Sequence, residues 1–250
     1  MAKRTGPNHV YIAAPERPRR FLWLLATAAV ALVAAALAIY YSPSFRIQQV
    51  ETITPPGLDG AQLEAVAGLR GQSLFTASLA AAEARLEELP VVKSAQAQRH
   101  WPRTVQILIT TRTPWGYWQV GDATYVIDIE GVVLSVQDNI GAAPAIRQTD
   151  GGSGLAPGAR VDADAVAVAQ RLSEALPQQL GLGVVYFEYN RAEGLSVATD
   201  AGYRVVVGDG HALQYKLAVW QAVEAEVGRE RLQGQSLDLR YGDRPSLRRQ

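Results

Sequence analysis

The chain has 250 residues, no cysteine, and 24 Lys and Arg against 24 Asp and Glu, for a formal net charge of zero. A neutral chain carries no basic footprint for nucleic acid. Without cysteine, disulfides and thiolate zinc sites are excluded, so a domain outside the cytoplasm has to be held by its core.

Residues 1–20 are rich in Pro and Arg without apolar periodicity, the composition of a disordered cytoplasmic tail. Residues 21–41, FLWLLATAAVALVAAALAIYY, carry no charge and are apolar on every face. Spanning a bilayer core takes about 20 helical residues, and only a helix or closed barrel satisfies its backbone in lipid. A single transmembrane helix is therefore expected, opening at Phe21, with Trp23 at one headgroup level and Tyr40 and Tyr41 at the other. Lys3, Arg4, Arg17, Arg19 and Arg20 precede it against the single acid Glu16, whereas only Arg46 lies between it and Glu51. The positive-inside rule puts the N-terminus in the cytoplasm and the rest outside, a type II single-pass topology in the plasma membrane. A cleaved signal peptide is the rival. Ala36 and Ala38 offer a cleavage-like pattern, but the apolar part of a signal is usually about 7–15 residues and this one is longer.

The first unit outside the membrane is expected over residues 44–113. Phe45, Ile47 and Val50 mark a strand, irregular at Gln48 and Gln49. Asp59 with Gln62 three residues on resembles a helix start, with Leu63 and Val66 on the apolar face. Leu79, Ala82, Leu86 and Leu89 recur at helical spacing, capped by Thr76 or Ser78 and stopped by Pro90. Ala95, Ala97 and Arg99, then Val105, Ile107 and Ile109, alternate as two strands around a turn at His100-Trp101-Pro102-Arg103. Two helices on one face of a three-stranded sheet would bury one core.

Phe45-x-Ile47-x-x-Val50, Gly71-Gln72-Ser73-Leu74-Phe75, Leu89-Pro90-x-Val92-x-x-Ala95 and Arg99-His100-Trp101-Pro102-Arg103-Thr104-Val105, in that order, resemble a POTRA domain, β-α-α-β-β. A short tail, one anchor and one such domain directly after it look like the bacterial cell-division family FtsQ/DivIB.

Residues 114–243 turn strand-rich. Trp115, Tyr117, Trp118 and Val120 precede Gly121-Asp122, and Tyr125–Asp128 runs through Glu130-Gly131 into Val132–Leu134 as a hairpin. Asp150–Gly154 reads as a flexible loop and Ala163–Leu176 as a helix. Strands follow at Val184–Tyr189, Leu195–Ala198 and Tyr203–Val207, then a helix over Ala212–Val227 and a last strand over Ser236–Arg240. Residues 244–250 read as a charged tail. TRTPWGYW…YVIDIEGVVLS and YRVVVGDG…YKLAVWQAV…SLDLRYGDRP are similar to the rest of FtsQ/DivIB, which implies an α+β chain whose second domain is a mixed sheet with flanking helices.

Catalytic signatures are absent. The three histidines, His9, His100 and His211, fall in no H-E-x-x-H, and there is no G-x-S-x-G and no phosphate loop. Asp162 and Asp164 read as a helix start, Gly208-Asp209-Gly210 as a turn, and Glu87-Glu88 and Glu224/Glu226 as exposed helix faces. Trp115, Tyr117 and Trp118 are expected to pack the junction between the two domains rather than form a binding patch.

The best functional candidate is the last strand. At a sheet edge, unpaired amides and carbonyls receive a partner strand. The resemblance implies that FtsB and FtsL bind through Ser236, Leu237, Asp238, Leu239, Arg240 and Tyr241, with Tyr241 as an aromatic anchor and Arg240, Arg244, Arg248 and Arg249 meeting acidic partner residues. A POTRA edge could receive a strand as well. The expected function is a non-enzymatic division scaffold at the mid-cell septum. Its partners would be FtsB, FtsL, other division proteins and membrane lipid, with no cofactor, small-molecule substrate or nucleic acid. Two alternatives are a POTRA-bearing transport or chaperone component and an anchored hydrolase.

Overall fold

A computed structural model describes residues 19–40, 42–55, 57–136, 138–241 and 244–249, with side chains from Trp23 onward. The expected tail with Arg17, and Tyr41 of the anchor, lie outside the described residues, as do the side chains of Arg19, Arg20 and Phe21. Helix α1 (Arg19–Tyr40) starts two residues earlier than the uncharged run. Its Trp23–Tyr40 portion is the one helix among the described residues long and apolar enough to cross a membrane, and it is exposed all round.

The first domain has the expected order: β1 (Gln49–Ile53), α2 (Gly60–Ala67), α3 (Leu79–Glu87), β2 (Val92–His100) and β3 (Thr104–Thr111). The central strand β3 runs parallel to β1 and antiparallel to β2. Asp59 caps α2 through Ala61 N, and Ser78, not Thr76, caps α3 through Ala81 N. Leu63, Ala82 and Leu86 bury their helix faces against Ile47, Val105, Ile107 and Ile109. Two local expectations are corrected. Phe45 is not in a strand, because Pro43 offers no amide and Pro43–Phe45 closes a 3-10 turn capped by Ser42. His100 ends β2 instead of joining the turn, which is Trp101–Arg103.

The second domain is built on nine strands: β4 (Pro114–Val120), β5 (Ala123–Asp128), β6 (Val133–Val136), β7 (Ala145–Gln148), β8 (Val184–Asn190), β9 (Gly194–Thr199), β10 (Arg204–Gly208), β11 (Gln235–Asp238) and β12 (Ser246–Arg249). Their order is β12-β11-β10-β9-β8-β7-β4-β5-β6. Helices α4 (Ala163–Ala175), α5 (Leu213–Val227) and α6 (Arg229–Leu232) complete it. Val166, Ala169, Leu172, Leu217, Trp220 and Leu232 form one core with Phe187, Val197 and Val205. Inside it, Trp220 Nε1 donates to Tyr203 Oη at 2.8 Å, and that hydroxyl hydrogen-bonds Glu224. Glu224 also pairs with Arg229, so it is a packed residue and not an exposed one.

The aromatic run lies differently from its expected place. Trp118 is buried in the main core, with Nε1 donating to Gln148 Oε1 at 3.1 Å, and Trp115 packs against that core. Tyr117, on the other face of β4, joins Val126, Val132 and Leu134. These rings fill the second domain instead of its junction with the first. Charge makes the junction. Arg112 Nη1 donates to Asp128 Oδ2 at 2.6 Å and to Glu130 Oε2 at 2.7 Å, while Lys93 Nζ reaches Glu130 Oε1 at 2.8 Å. Asp128 also accepts from Glu130 N and Val132 N, so one buried carboxylate shapes the β5–β6 turn and holds the first domain.

Candidate functional site at the C-terminal sheet edge

Strand β11 is not an edge. It runs parallel to β10 on one side and antiparallel to β12 on the other. The segment expected to be a charged tail therefore supplies the outermost strand, with Leu247 opposite Leu237 and Arg248 opposite Ser236. This corrects both the edge position of Ser236–Arg240 and the tail reading of Ser246–Arg249.

Alternation along Ser-Leu-Asp-Leu decides what each residue does. Leu237 and Leu239 point into the core, each 1% exposed, and cannot face a partner. Leu239 N donates to Val206 O at 2.9 Å. Leu239→Pro would therefore break the β10–β11 ladder and the core together, and does not test an edge. Asp238, on the opposite face, is buried and holds Arg240, whose Nε and Nη2 lie 3.0 and 2.7 Å from its carboxylate oxygens. Burial alone would raise the Asp238 carboxyl, but the Arg240 hydrogen bonds outweigh it and hold it below the usual carboxylate range. The same bonds raise the Arg240 guanidinium. Gly208 lets Arg240 pass: at φ +80° it has no side chain, and an added Cβ would sit 2.9 Å from Arg240 Cγ. Arg240 also lies 5.4 Å from the centroid of the Tyr241 ring, which is 63% exposed.

Hydrogen-bond directions along the edge follow from one contact. Because Leu239 N faces β10, Ser236 and Asp238 direct their backbone groups to β12 and pair with Arg248 and Ser246. The amides and carbonyls of Leu247 and Arg249 then point outward from the sheet. Leu247 is 41% exposed and extends the row begun by Leu237.

Two other strand edges, those of β6 and β2, are occupied. Beyond β6, Val133 N donates to Ala159 O and Val133 O accepts from Gly158 N, with Val132 bridged to Arg160. On β2, the outward amides of Ala95 and Ala97 donate to Glu87 Oε1 (3.1 Å) and Glu83 Oε1 (2.6 Å). Glu87 thus has a structural task that its exposed-face reading missed.

A polar cleft of about 330 Å³ lies beside β10, lined in part by Asp162, Asp164, Asp209, Lys216 and Arg240. Its charged side chains have hydrogen-bond or ion-pair partners within the chain. Asp162 caps α4 and accepts from Tyr189 Oη, and Asp164 accepts from Gly210 N, fixing the glycine-rich turn. Lys216 Nζ donates to Val207 O, Asp209 O and Asp209 Oδ1, and its hydrogen bond lowers the Asp209 carboxyl. Among the described residues no group of three or more His, Cys, Asp or Glu is placed to hold a metal ion.

Sequence reasoning missed β12. Its signal was Gly242-Asp243-Arg244-Pro245, a turn-rich stretch between two short runs that each carry a leucine.

Comparison with known proteins agrees with this architecture. Residues 58–112 match the family described as POTRA domain, FtsQ-type, and residues 116–240 match cell division protein FtsQ/DivIB, C-terminal. The cell division protein FtsQ of Chloroflexus aurantiacus is 28% identical over 76% of this chain and 71% of its own length. That of Chloroflexus aggregans is 29% identical over 75% and 70%. That of Neisseria gonorrhoeae is 23% identical over 90% and 89%. The C-terminal match alone spans half of the 250-residue sequence, and the chain belongs to the FtsQ/DivIB family of cell-division proteins.

Proposed function

We propose that this division scaffold gathers FtsB and FtsL by adding a partner strand to β12. The observation that carries the reading is the contrast between edges: those of β6 and β2 are filled by the chain itself, whereas β12 directs Leu247 and Arg249 backbone groups outward. Main-chain hydrogen bonds would supply affinity, and neighbouring side chains the specificity. Tyr241 offers a rigid ring, and Arg244, Arg248 and Arg249 are exposed cations for acidic partner residues. The charge asymmetry around α1 supports an N-terminus in the cytoplasm and both domains outside, so the anchor fixes position while the edge recruits the septal wall-building machinery.

A pair of substitutions tests this. Leu247→Pro removes an outward amide while sparing the Ser236–Arg248 and Asp238–Ser246 pairs. Leu247→Ala keeps that amide and removes the side chain. In calorimetric titration of the full chain with the FtsB–FtsL pair, Leu247→Pro should weaken binding at least about tenfold, a loss of roughly 1.4 kcal/mol, and more than Leu247→Ala. Unchanged affinity for Leu247→Pro in a folded protein would sink the strand-addition reading.

A further inference from the structure

The end of the POTRA domain nearest α1 has an unusual composition. Three segments build it, residues 42–50, 71–78 and 98–105, and together they carry Arg46, Arg99, His100 and Arg103 with no Asp or Glu. Backbone bonds join them: Ile47 N to Gln72 O at 2.9 Å, Leu74 N to Phe45 O at 2.8 Å, and Gln48 N to Arg103 O at 2.9 Å. Arg99 is spent internally, donating to Leu74 O and Ala77 O, so it stiffens the 74–77 loop. Arg46, His100 and Arg103 are exposed.

An aromatic chain runs through the same end and continues from the anchor. Tyr40, the last residue of α1, stacks on Phe75 with centroids 5.8 Å apart. Phe75 meets Phe45 at 5.2 Å and Trp101 at 5.1 Å. Trp101 is nevertheless 57% exposed. A lone exposed ring needs no explanation, but this one ends a cluster that begins on the last turn of a membrane-length helix. Between helix and domain lies a cleft of about 250 Å³ lined by Tyr40, Ser42, Arg46, Gly71, Ser73 and Thr76. The Arg46 guanidinium with the Ser42 and Ser73 hydroxyls suits a phosphate group.

We propose that this end of the POTRA domain docks on the leaflet from which α1 emerges, with Trp101, Phe45 and Phe75 at the headgroup level and Arg46 and Arg103 on anionic lipid phosphates. The Trp101 indole and the Tyr40 phenol favour that level, and the Phe45 and Phe75 rings pack between them; basic side chains are drawn to anionic leaflets over short range. Two observations choose a membrane over a protein as the occupant: the rings are continuous with the anchor, and the three segments carry cations without a single acid. Docking would set the tilt at which the rest of the molecule stands.

The natural absence of cysteine allows a direct test. The full chain carrying Thr76→Cys with a nitroxide label is placed in nanodiscs of phosphatidylcholine alone or mixed with phosphatidylglycerol. Glu88→Cys, at the far end of α3, serves as the water reference, and Leu32→Cys reports separately that α1 spans. In the mixed lipid the label at 76 should lose several-fold access to a water-soluble relaxer relative to 88, and should regain it with Arg46→Glu and Arg103→Glu together. An unchanged line shape at 88 shows that the charge-reversed domain stays folded. Equal access at 76 and 88 in both lipids overturns the proposal. So does protection at 76 that persists without phosphatidylglycerol or after charge reversal, since the docking is then not to anionic headgroups.

Discussion

The two edges of the nine-stranded sheet are finished in opposite ways. At β6 the chain covers its own edge with residues 158–161, and the adjoining β5–β6 turn is bolted to the POTRA domain by Arg112, Asp128, Glu130 and Lys93. At β12 the sheet stops with backbone groups directed outward. Eight strand spacings separate these ends, roughly 40 Å along the sheet. An open edge is ordinarily a liability that proteins blunt. Here the chain covers two other edges, with the 158–161 segment and with the Glu83 and Glu87 carboxylates on β2, whereas β12 is guarded only by its shortness and by the exposed Arg248 and Arg249. The proposed reading divides the labour: one end of the sheet is held to the POTRA domain, and recruitment is assigned to the other.

The largest effects should come from the fixed end. Arg112→Ala strands the buried Asp128 carboxylate, and breaking a buried pair in this way costs about 3–5 kcal/mol. Urea unfolding of the full chain should show the β domain melting early, with partner binding at β12 intact at low denaturant. A loss of partner binding equal to that of Leu247→Pro would erase the proposed separation between the ends. Leu239→Ala comes next, at about 3 kcal/mol for a buried leucine under the open edge. If it unfolds no more easily than the parent chain, Leu239 does not anchor the edge from below.

The POTRA domain was the more legible half of the sequence, because its helices are written in local signals. Asp59 and Ser78 cap, Pro90 stops, and Ala82 and Leu86 repeat at helical spacing. The sheet of the second domain was less so. Ala145–Gln148 buries one side chain fully, Ile146, and becomes a strand only because β4 and β8 flank it. Ser246–Arg249 has no alternation of its own and is fixed by its register with β11. At the candidate site, Arg240 and Tyr241 could be singled out from the sequence, but which strand forms the edge depends on a long-range pairing that four residues cannot encode. Phe45 misled for a related reason: an apolar ring near strand residues looks like a strand, and here it packs against Phe75 and Trp101.

A blunted edge can be opened deliberately. Removing both carboxylates with Glu83→Ala and Glu87→Ala frees the Ala95 and Ala97 amides, at a cost of about 1–3 kcal/mol in hydrogen bonds. The variant should self-associate through β2 in sedimentation runs where the parent chain does not. A variant that associates no more than the parent would show that these carboxylates do not guard the edge.

The smallest effect isolates the outer half of the junction. Hydrogen bonds from Lys93 first and Arg112 second hold the Glu130 carboxyl at about 2, well below its ordinary 4.5. A depressed carboxylate stabilises the fold above its unfolded value and loses that contribution as pH falls through its folded value. The Glu130 share is therefore complete above about pH 4.5 and disappears on approach to pH 2. Its side chain is 39% exposed, so Glu130→Gln should cost only about 0.2–1 kcal/mol at neutral pH. The sharper readout is slope: between pH 4.5 and 2 the variant should lose stability less steeply than the parent chain, because one proton fewer is taken up on unfolding. Parallel acid-unfolding curves would mean that Glu130 is not coupled to the fold, and would leave Arg112 with Asp128 alone to hold the closed end of the sheet.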